Sequence, residues 1–308
     1  MNHLNQNTKI ILVDWGTTNL RAYLFNIKKN KVTKFYHSKY GITKIIFKND
    51  YLNILKKILK NFNVFIDTPI FLAGMVGSKN GLIEIPYTKT PASIKHISLN
   101  IIFKKMRNMK LFFIPGLSCQ NRKLFDVIRG EETIAIGAIN IIKDKNFFIC
   151  CPGTHSKWIN IKNNQIKLFE TYLTGDLFSS ISKSTILSKS LTKSEKFSKK
   201  FFLLGLEEIK KKSLSYMLFK VRTLNLFNQS NLTESKSFLS GLIIGEEIKN
   251  ISKTIKRDKV YLISEEKLLK FYLIALKFYK IKYGVVDYKK AFILGAKKLY
   301  EQLWKIFK

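Results

Sequence analysis

Residues 10–26 read Ile10-Ile11-Leu12-Val13-Asp14-Trp15-Gly16-Thr17-Thr18-Asn19-Leu20-Arg21-Ala22-Tyr23-Leu24-Phe25-Asn26. An apolar, β-branched run ends on an acid. A glycine and two hydroxyl residues then turn the chain, and a second apolar run returns: the pattern of a β-hairpin. Residues 32–37 continue as a third strand. Residues 50–62 carry leucine and isoleucine at helical spacing (Leu52, Leu55, Ile58, Leu59), with Asp50 at the start as a cap. Residues 69–73 read as a short buried strand, 93–107 as a helix and 110–114 as a strand.

The same order then returns. Residues 130–142 read as a helix, and 147–151 as a strand ending at Pro152-Gly153. Residues 158–161 and 166–170 flank Lys162-Asn163-Asn164-Gln165, a hairpin signal. Residues 175–255 are helical in pattern. A strand at 259–263, a helix at 266–278, a strand at 282–286 and a terminal helix at 291–307 follow. A three-stranded antiparallel unit leading into strand–helix alternation, twice over, predicts two α/β domains of similar topology. The expected division is residues 1–128 and 129–308.

Composition narrows the function classes. The chain has 308 residues, 46% of them hydrophobic, enough for a sizeable core. No apolar run is long enough to span a bilayer. The polar start lacks the order of a secretory signal, so a cytoplasmic protein is expected. Cys119, Cys150 and Cys151 fit reduced, buried thiols. The formal charge of +34 raises the question of nucleic acid. Only six of the 55 basic residues are arginine, the better fork for phosphates and base edges, and the lysines are spread along the chain. A solvated lysine-rich surface is the expectation, and nucleic acid is not the expected partner.

Three stretches carry chemistry. In Asp14-Trp15-Gly16-Thr17-Thr18 the turn presents N–H groups and hydroxyls to an anion, and the acid can hold hydrated Mg²⁺. Cys151-Pro152-Gly153-Thr154-His155-Ser156-Lys157-Trp158 has the same form. Two such turns suit the phosphates of a nucleotide. In Arg129-Gly130-Glu131-Glu132-Thr133 a carboxylate stands at a helix start, where a general base for a hydroxyl nucleophile could sit. His155 reads as a turn residue, since no Ser/His/Asp order supports a hydrolase triad. Glu246-Glu247 and Glu265-Glu266 read as solvated helix positions.

The first stretch resembles the first phosphate motif of the acetate/sugar kinase, Hsp70 and actin superfamily. Its wording is similar to that of the 2-dehydro-3-deoxygalactonokinases. Gly74-Met75-Val76-Gly77-Ser78 with Pro86-Tyr87, Pro115-Gly116-Leu117, the block from Asp126 to Thr133 and the block from Pro152 to Trp158 support that narrower match. Thr174-Gly175-Asp176-Leu177-Phe178, Val221-Arg222 and the run from Leu239 to Gly245 follow in family order.

The resemblance implies two actin-like (ribonuclease H-like) domains around an interdomain nucleotide cleft, with a helical insertion and the nucleotide site in the second. It implies a kinase that uses ATP and Mg²⁺ to phosphorylate the 6-hydroxyl of 2-dehydro-3-deoxy-D-galactonate, in galactonate breakdown. The alternatives are a kinase of another sugar or sugar acid, or a non-catalytic relic that binds nucleotide or nucleic acid. By analogy Glu131 holds the base position, with Asp126 second. Asp14 would place the metal. Gly16, Thr17, Thr18, Gly153, Thr154, Ser156 and Lys157 would meet phosphates. Asn19, Arg21, Gly74, Met75, Ser78 and Arg129 would line the substrate site, and Arg21, Arg129 and Lys157 are the alternative candidates for the cation that meets its carboxylate. The superfamily's adenosine segment carries a glycine after a strand of the second domain. Leu262-Ile263-Ser264-Glu265-Glu266 has none, and a Cβ there is expected to crowd the base.

Overall fold

The computed structural model describes residues 8–121, 123–264 and 266–306. They form two compact units. The first takes the chain up to Lys145, Ile161–Leu168 and everything from Asp287 on; the second takes Asn146–Asn160 and Phe169–Val286.

The first unit starts with β1 (Lys9–Trp15), β2 (Leu20–Asn26) and β3 (Lys31–Ser38), followed by α1 (Lys48–Phe62) and β4 (Ile70–Gly74). Then come β5 (Thr88–Lys89), α2 (Ile94–Leu99), β6 (Ile102–Met106), β7 (Met109–Phe113), β8 (Leu117–Asn121), β9 (Leu124–Ile128) and α3 (Glu131–Ile141). Six strands make one sheet in the order β3-β2-β1-β4-β7-β6. β1 is antiparallel to β2 and parallel to β4, which is parallel to β7. Central β1 is buried at every position from Ile10 to Trp15, as a strand covered on both faces must be. The stripe Leu52, Leu55, Ile58, Leu59 and Phe62 seats α1 on this sheet, and Asn63 stops the helix in a left-handed conformation. β5, β8 and β9 form a separate three-stranded sheet.

The helix expected over residues 93–107 is corrected by the structure. α2 stops at Leu99, and Ile102–Met106 pairs antiparallel with β7. Arg107 and Asn108, both at positive φ, make the two-residue turn between them. Edge pairing decides here: β6 lies at the sheet margin with Lys104 and Lys105 exposed, the usual guard of an open edge.

The second series is β10 (Asn146–Cys151), β11 (Ser156–Lys162), β12 (Gln165–Tyr172), α4 (Thr174–Ser184), α5 (Lys199–Lys211), α6 (Leu214–Leu226) and α7 (Leu232–Ile255). β13 (Lys259–Leu262), α8 (Glu266–Phe278) and β14 (Tyr283–Val285) complete it. The sheet order is β12-β11-β10-β13-β14, with β10, β13 and β14 parallel. The repeat read from the sequence is thus real: in each sheet the series' first strand lies between its second and its next parallel strand. Asn163 and Asn164, both at positive φ, form the expected turn of the β11–β12 hairpin.

The terminal helix α9 (Tyr288–Ile306) belongs to the first unit. It crosses α3 where both helices are bare: a Cβ on Gly137 would stand 1.8 Å from the Ala291 carbonyl oxygen, and one on Gly295 would stand 1.8 Å from that of Thr133. All three cysteines are buried thiols outside any disulfide, as expected. Among the described residues no helix is long and apolar enough to cross a membrane.

Candidate active site

In the first unit the ends of β1 and β4 meet the start of α3. Gly74 has φ 89°, and a Cβ on it would stand 2.7 Å from the Trp15 carbonyl oxygen. Gly130 has φ 110°, with its Cβ position 3.3 Å from the Gly74 Cα. Only glycine accepts both the dihedral and the spacing. The two glycines therefore bring Glu131, the first residue of α3, to the strand ends that carry Asp14 and Gly74. Strand ends of this kind are where open α/β sheets bind ligands.

Asp14 is buried. Its Oδ2 accepts hydrogen bonds from Tyr288 Oη at 2.6 Å and Arg21 Nη1 at 3.2 Å. Arg21 lies opposite Asp14 in the β1–β2 ladder, and its guanidinium sits 5.3 Å from the Tyr288 ring centre. Burial, then the Asp14 charge, pushes the Tyr288 hydroxyl well above its ordinary value, so it stays a donor. Tyr288 was missed in the sequence, where nothing local marks it. The turn beyond Asp14 is closed by Gly16 N donating to the Asn19 carbonyl at 2.9 Å. Thr17 and Thr18 are exposed at its tip, and Asn19 Nδ2 donates to Thr18 Oγ1. The carbonyls of Thr17 and Thr18 are fixed by Thr43 and Gly41.

The two acids at the start of α3 differ. Glu131 is half-buried and accepts from the Arg129 N–H at 3.1 Å. Glu132 is fully buried and accepts from the Gly130 N–H at 2.6 Å and Thr133 Oγ1 at 3.0 Å. Burial, reinforced by the Glu131 charge, pushes Glu132 up to about 8. Asp126 lies in β9 and accepts from the Val127 N–H. Met75 heads a 3-10 turn, and Ser78 Oγ donates to the Met75 carbonyl. Arg129 is buried, donates to the Ile85 carbonyl at 2.7 Å and stacks on Tyr87 at 4.3 Å.

In the second unit Gly153 and Thr154 form the tip of the turn between β10 and β11. The Asp176 N–H ties that tip to α4 through the Thr154 carbonyl, and Gly175 passes so close that a Cβ would stand 2.5 Å from the Gly153 oxygen. The His155 imidazole faces the Asp176 carboxylate at 3.9 Å, both half exposed. Lys157 is buried and donates back to the His155 carbonyl at 3.2 Å. Ser156 is fully buried and donates to Glu247 at 2.7 Å.

Glu247 corrects the solvated reading of that acid. Its Oε1 accepts from Ser156 Oγ and Trp158 Nε1, and its Oε2 from Thr174 Oγ1 and Tyr272 Oη. One carboxylate thus ties β11, α4 and α8 to α7. A signal was present: Glu247 shares the helical stripe of Ile243, Ile244 and Ile251. Glu266 is exposed, as expected, and Glu265 lies outside the described residues. Beside this cluster is a cavity of about 500 Å³ whose lining includes Gly153, Gly175, Phe178, Ile244, Phe271 and Tyr272. Ser264, in the segment lacking a glycine, follows β13 with its hydroxyl buried and without a hydrogen-bond partner.

The model of the 2-keto-3-deoxy-galactonokinase family matches residues 14–299. The chain belongs to this family. A relative, the Escherichia coli 2-dehydro-3-deoxygalactonokinase, is 31% identical over 241 residues, 78% of this chain and 79% of that protein. The crystal structure of a Sinorhizobium meliloti protein assigned as a 2-dehydro-3-deoxygalactonokinase superposes with a TM-score of 0.90 at 27% identity, covering 96% of this chain and 99% of that one. The activator of 2-hydroxyisocaproyl-CoA dehydratase from Clostridium difficile shares the fold at 11% identity and a TM-score of 0.51, with 97% of each chain covered. The resemblance drawn from the motifs therefore holds along the chain, and the fold is actin-like in class, as expected.

Proposed function

We propose that this chain transfers the γ-phosphoryl group of ATP to the 6-hydroxyl of 2-dehydro-3-deoxy-D-galactonate. Family membership supports the substrate class. The observation that carries the chemistry is the placing of Glu131: a half-buried carboxylate at a helix N-terminus, brought to the ends of β1 and β4 by Gly74 and Gly130.

Glu131 accepts the proton of the 6-hydroxyl as its oxygen attacks the γ-phosphorus, and the bond from that phosphorus to the ADP oxygen breaks. Asp126 is the second candidate for base. Phosphoryl transfer needs positioning and charge neutralisation above all. Magnesium keeps most of its waters and takes one or two carboxylates alongside substrate phosphates, and Asp14, beside an exposed hydroxyl turn, is a donor of that kind. Asp14 would hold the ion through water, and the ion would neutralise phosphate charge. Gly16, Thr17 and Thr18 face phosphate oxygens, and Gly153 and Thr154 do the same in the second unit. Ser156 gives its hydroxyl proton to Glu247, while Lys157 spends one of its three N–H donors on the His155 carbonyl and keeps the others for a phosphate. The apolar cavity lined by Phe178, Ile244 and Phe271 suits an adenine ring. Asn19, Arg21, Gly74, Met75, Ser78 and Arg129 line the side that takes the sugar acid.

The test is coupled ADP release by purified, folded protein with Mg²⁺, ATP and a panel of 2-keto-3-deoxy sugar acids. Turnover is expected with the galacto acid. Absence of ADP release across the whole panel would remove the proposal.

A further inference from the structure

We infer that Arg129 is the receptor for the carboxylate of the sugar acid. The inference rests on the kinase reading above and decides among three cations that the sequence left open.

Arg21 is engaged by Asp14 and packed on Tyr288, and the Lys157 ammonium donates to its own turn. Arg129 differs. It is 8% exposed, and its Nη2 donates to the Ile85 carbonyl, yet Nε and Nη1 are buried with no hydrogen-bond partner. Among the described residues it is the only cation in that condition, and no carboxylate forms an ion pair with it. A desolvated, unpaired guanidinium is costly, and such a group persists where a ligand supplies the missing acceptors.

The surrounding fold is built around that guanidinium. In the small sheet Thr88 pairs with Leu117 and Leu117 with Ile128. One row further on stand Tyr87, Gly116 and Arg129. A Cβ on Gly116 would stand 2.9 Å from the Tyr87 ring, so the bare glycine leaves room for the ring whose centre lies 4.3 Å from the guanidinium. Gly77 also lies close, since a Cβ on it would stand 3.1 Å from Nη1. The turn Met75–Gly77 is therefore the element that an incoming acid meets beside the fork.

The position suits the substrate as well. Arg129 and Glu131 are joined through the Arg129 N–H, with the long arginine side chain leading away toward Ile85 and Tyr87. The hydroxyl to be phosphorylated and the carboxylate stand at opposite ends of the sugar acid. A base at Glu131 and a cation at the tip of Arg129 match that separation of roles.

The experiment compares 2-dehydro-3-deoxy-D-galactonate with its neutral C1 amide in the ADP-release assay. A site built to pair a buried cation rejects the neutral analogue strongly, so wild-type kcat/KM should favour the acid by about 100-fold or more. In Arg129→Met the KM for the acid should rise by a similar factor, the amide should be unaffected and the preference should vanish. Arg129→Lys should restore part of it. In the wild-type protein the Arg129 Nε–H resonance should shift on adding the acid and not on adding the amide, which decides the matter even if a variant fails to fold. Equal use of acid and amide by the wild type, an unchanged ratio in Arg129→Met, an unmoved resonance, or a rise in the KM for ATP instead of the acid would each overturn the inference. ADP release from both compounds alike would end the role of Arg129 and leave the kinase standing; release from neither acid nor amide would end the kinase reading itself.

Discussion

Tyr288 donates a 2.6 Å hydrogen bond to Asp14 across 274 residues of sequence. The hydroxyl comes from the first turn of the last helix, and the carboxylate from the end of the first strand. Asp14 is thereby held by one neutral donor and by the Arg21 cation, which itself lies over the Tyr288 ring.

Tyr288→Phe should remove that donor and keep the ring. The loss of one buried hydrogen bond to a carboxylate predicts a fall in stability of about 1.5–3 kcal/mol. Urea denaturation measures it. If Asp14 places Mg²⁺ through water, the same variant should also raise the Mg²⁺ concentration needed for half-maximal activity.

Glu131 and Glu132 should separate by substitution. Glu131→Gln is expected to lower kcat by about 100- to 10,000-fold, the usual contribution of a general base, while ATP still binds. Calorimetric titration with ATP checks the second half.

Glu132 is held up to about 8 in the fold, against an ordinary 4.5. Between those values the unfolded chain gives up the proton and the folded chain keeps it. Stability from this group is thus complete below the ordinary value and declines as pH rises toward the folded one. Urea midpoints should fall over that window, and Glu132→Gln should flatten the fall.

Glu247→Ala should be among the most damaging single changes. It strands four donors from β11, α4 and α8, and a loss of roughly 3–5 kcal/mol is expected by analogy with breaking a buried charged network. The exposed Glu266→Ala should stay within about 0.5 kcal/mol. Similar losses in the two variants, by urea titration, would contradict the bracing role.

Gly137→Ala tests the crossing of α3 and α9. The added methyl cannot coexist with the Ala291 carbonyl, so the helices must part. Overpacking of this kind costs about 1–3 kcal/mol or more. Because α3 begins with Glu131 and α9 with Tyr288, the ADP-release rate should fall together with the melting temperature.

Much of this protein was legible in the residues themselves. The hairpin around Gly16, the second hairpin around Asn163-Asn164 and the helix of Leu52, Leu55 and Leu59 are written in local spacing, because apolar periodicity and turn chemistry act over a few residues. The repeat of that order, with the motifs it carries, reached the actin-like fold and the family. Other features depended on neighbours distant in the chain. Residues 102–106 became a strand because β7 offered an edge, against their helical pattern. The last helix returned to the first unit because its Gly295 fits against Gly137 of α3, which puts Tyr288 on Asp14. Glu247 looks like a surface charge in the sequence, and Arg129 is one of three candidate cations there. Burial, and the partners that are present for one and missing for the other, come from packing between separate elements, and only the tertiary structure decides that.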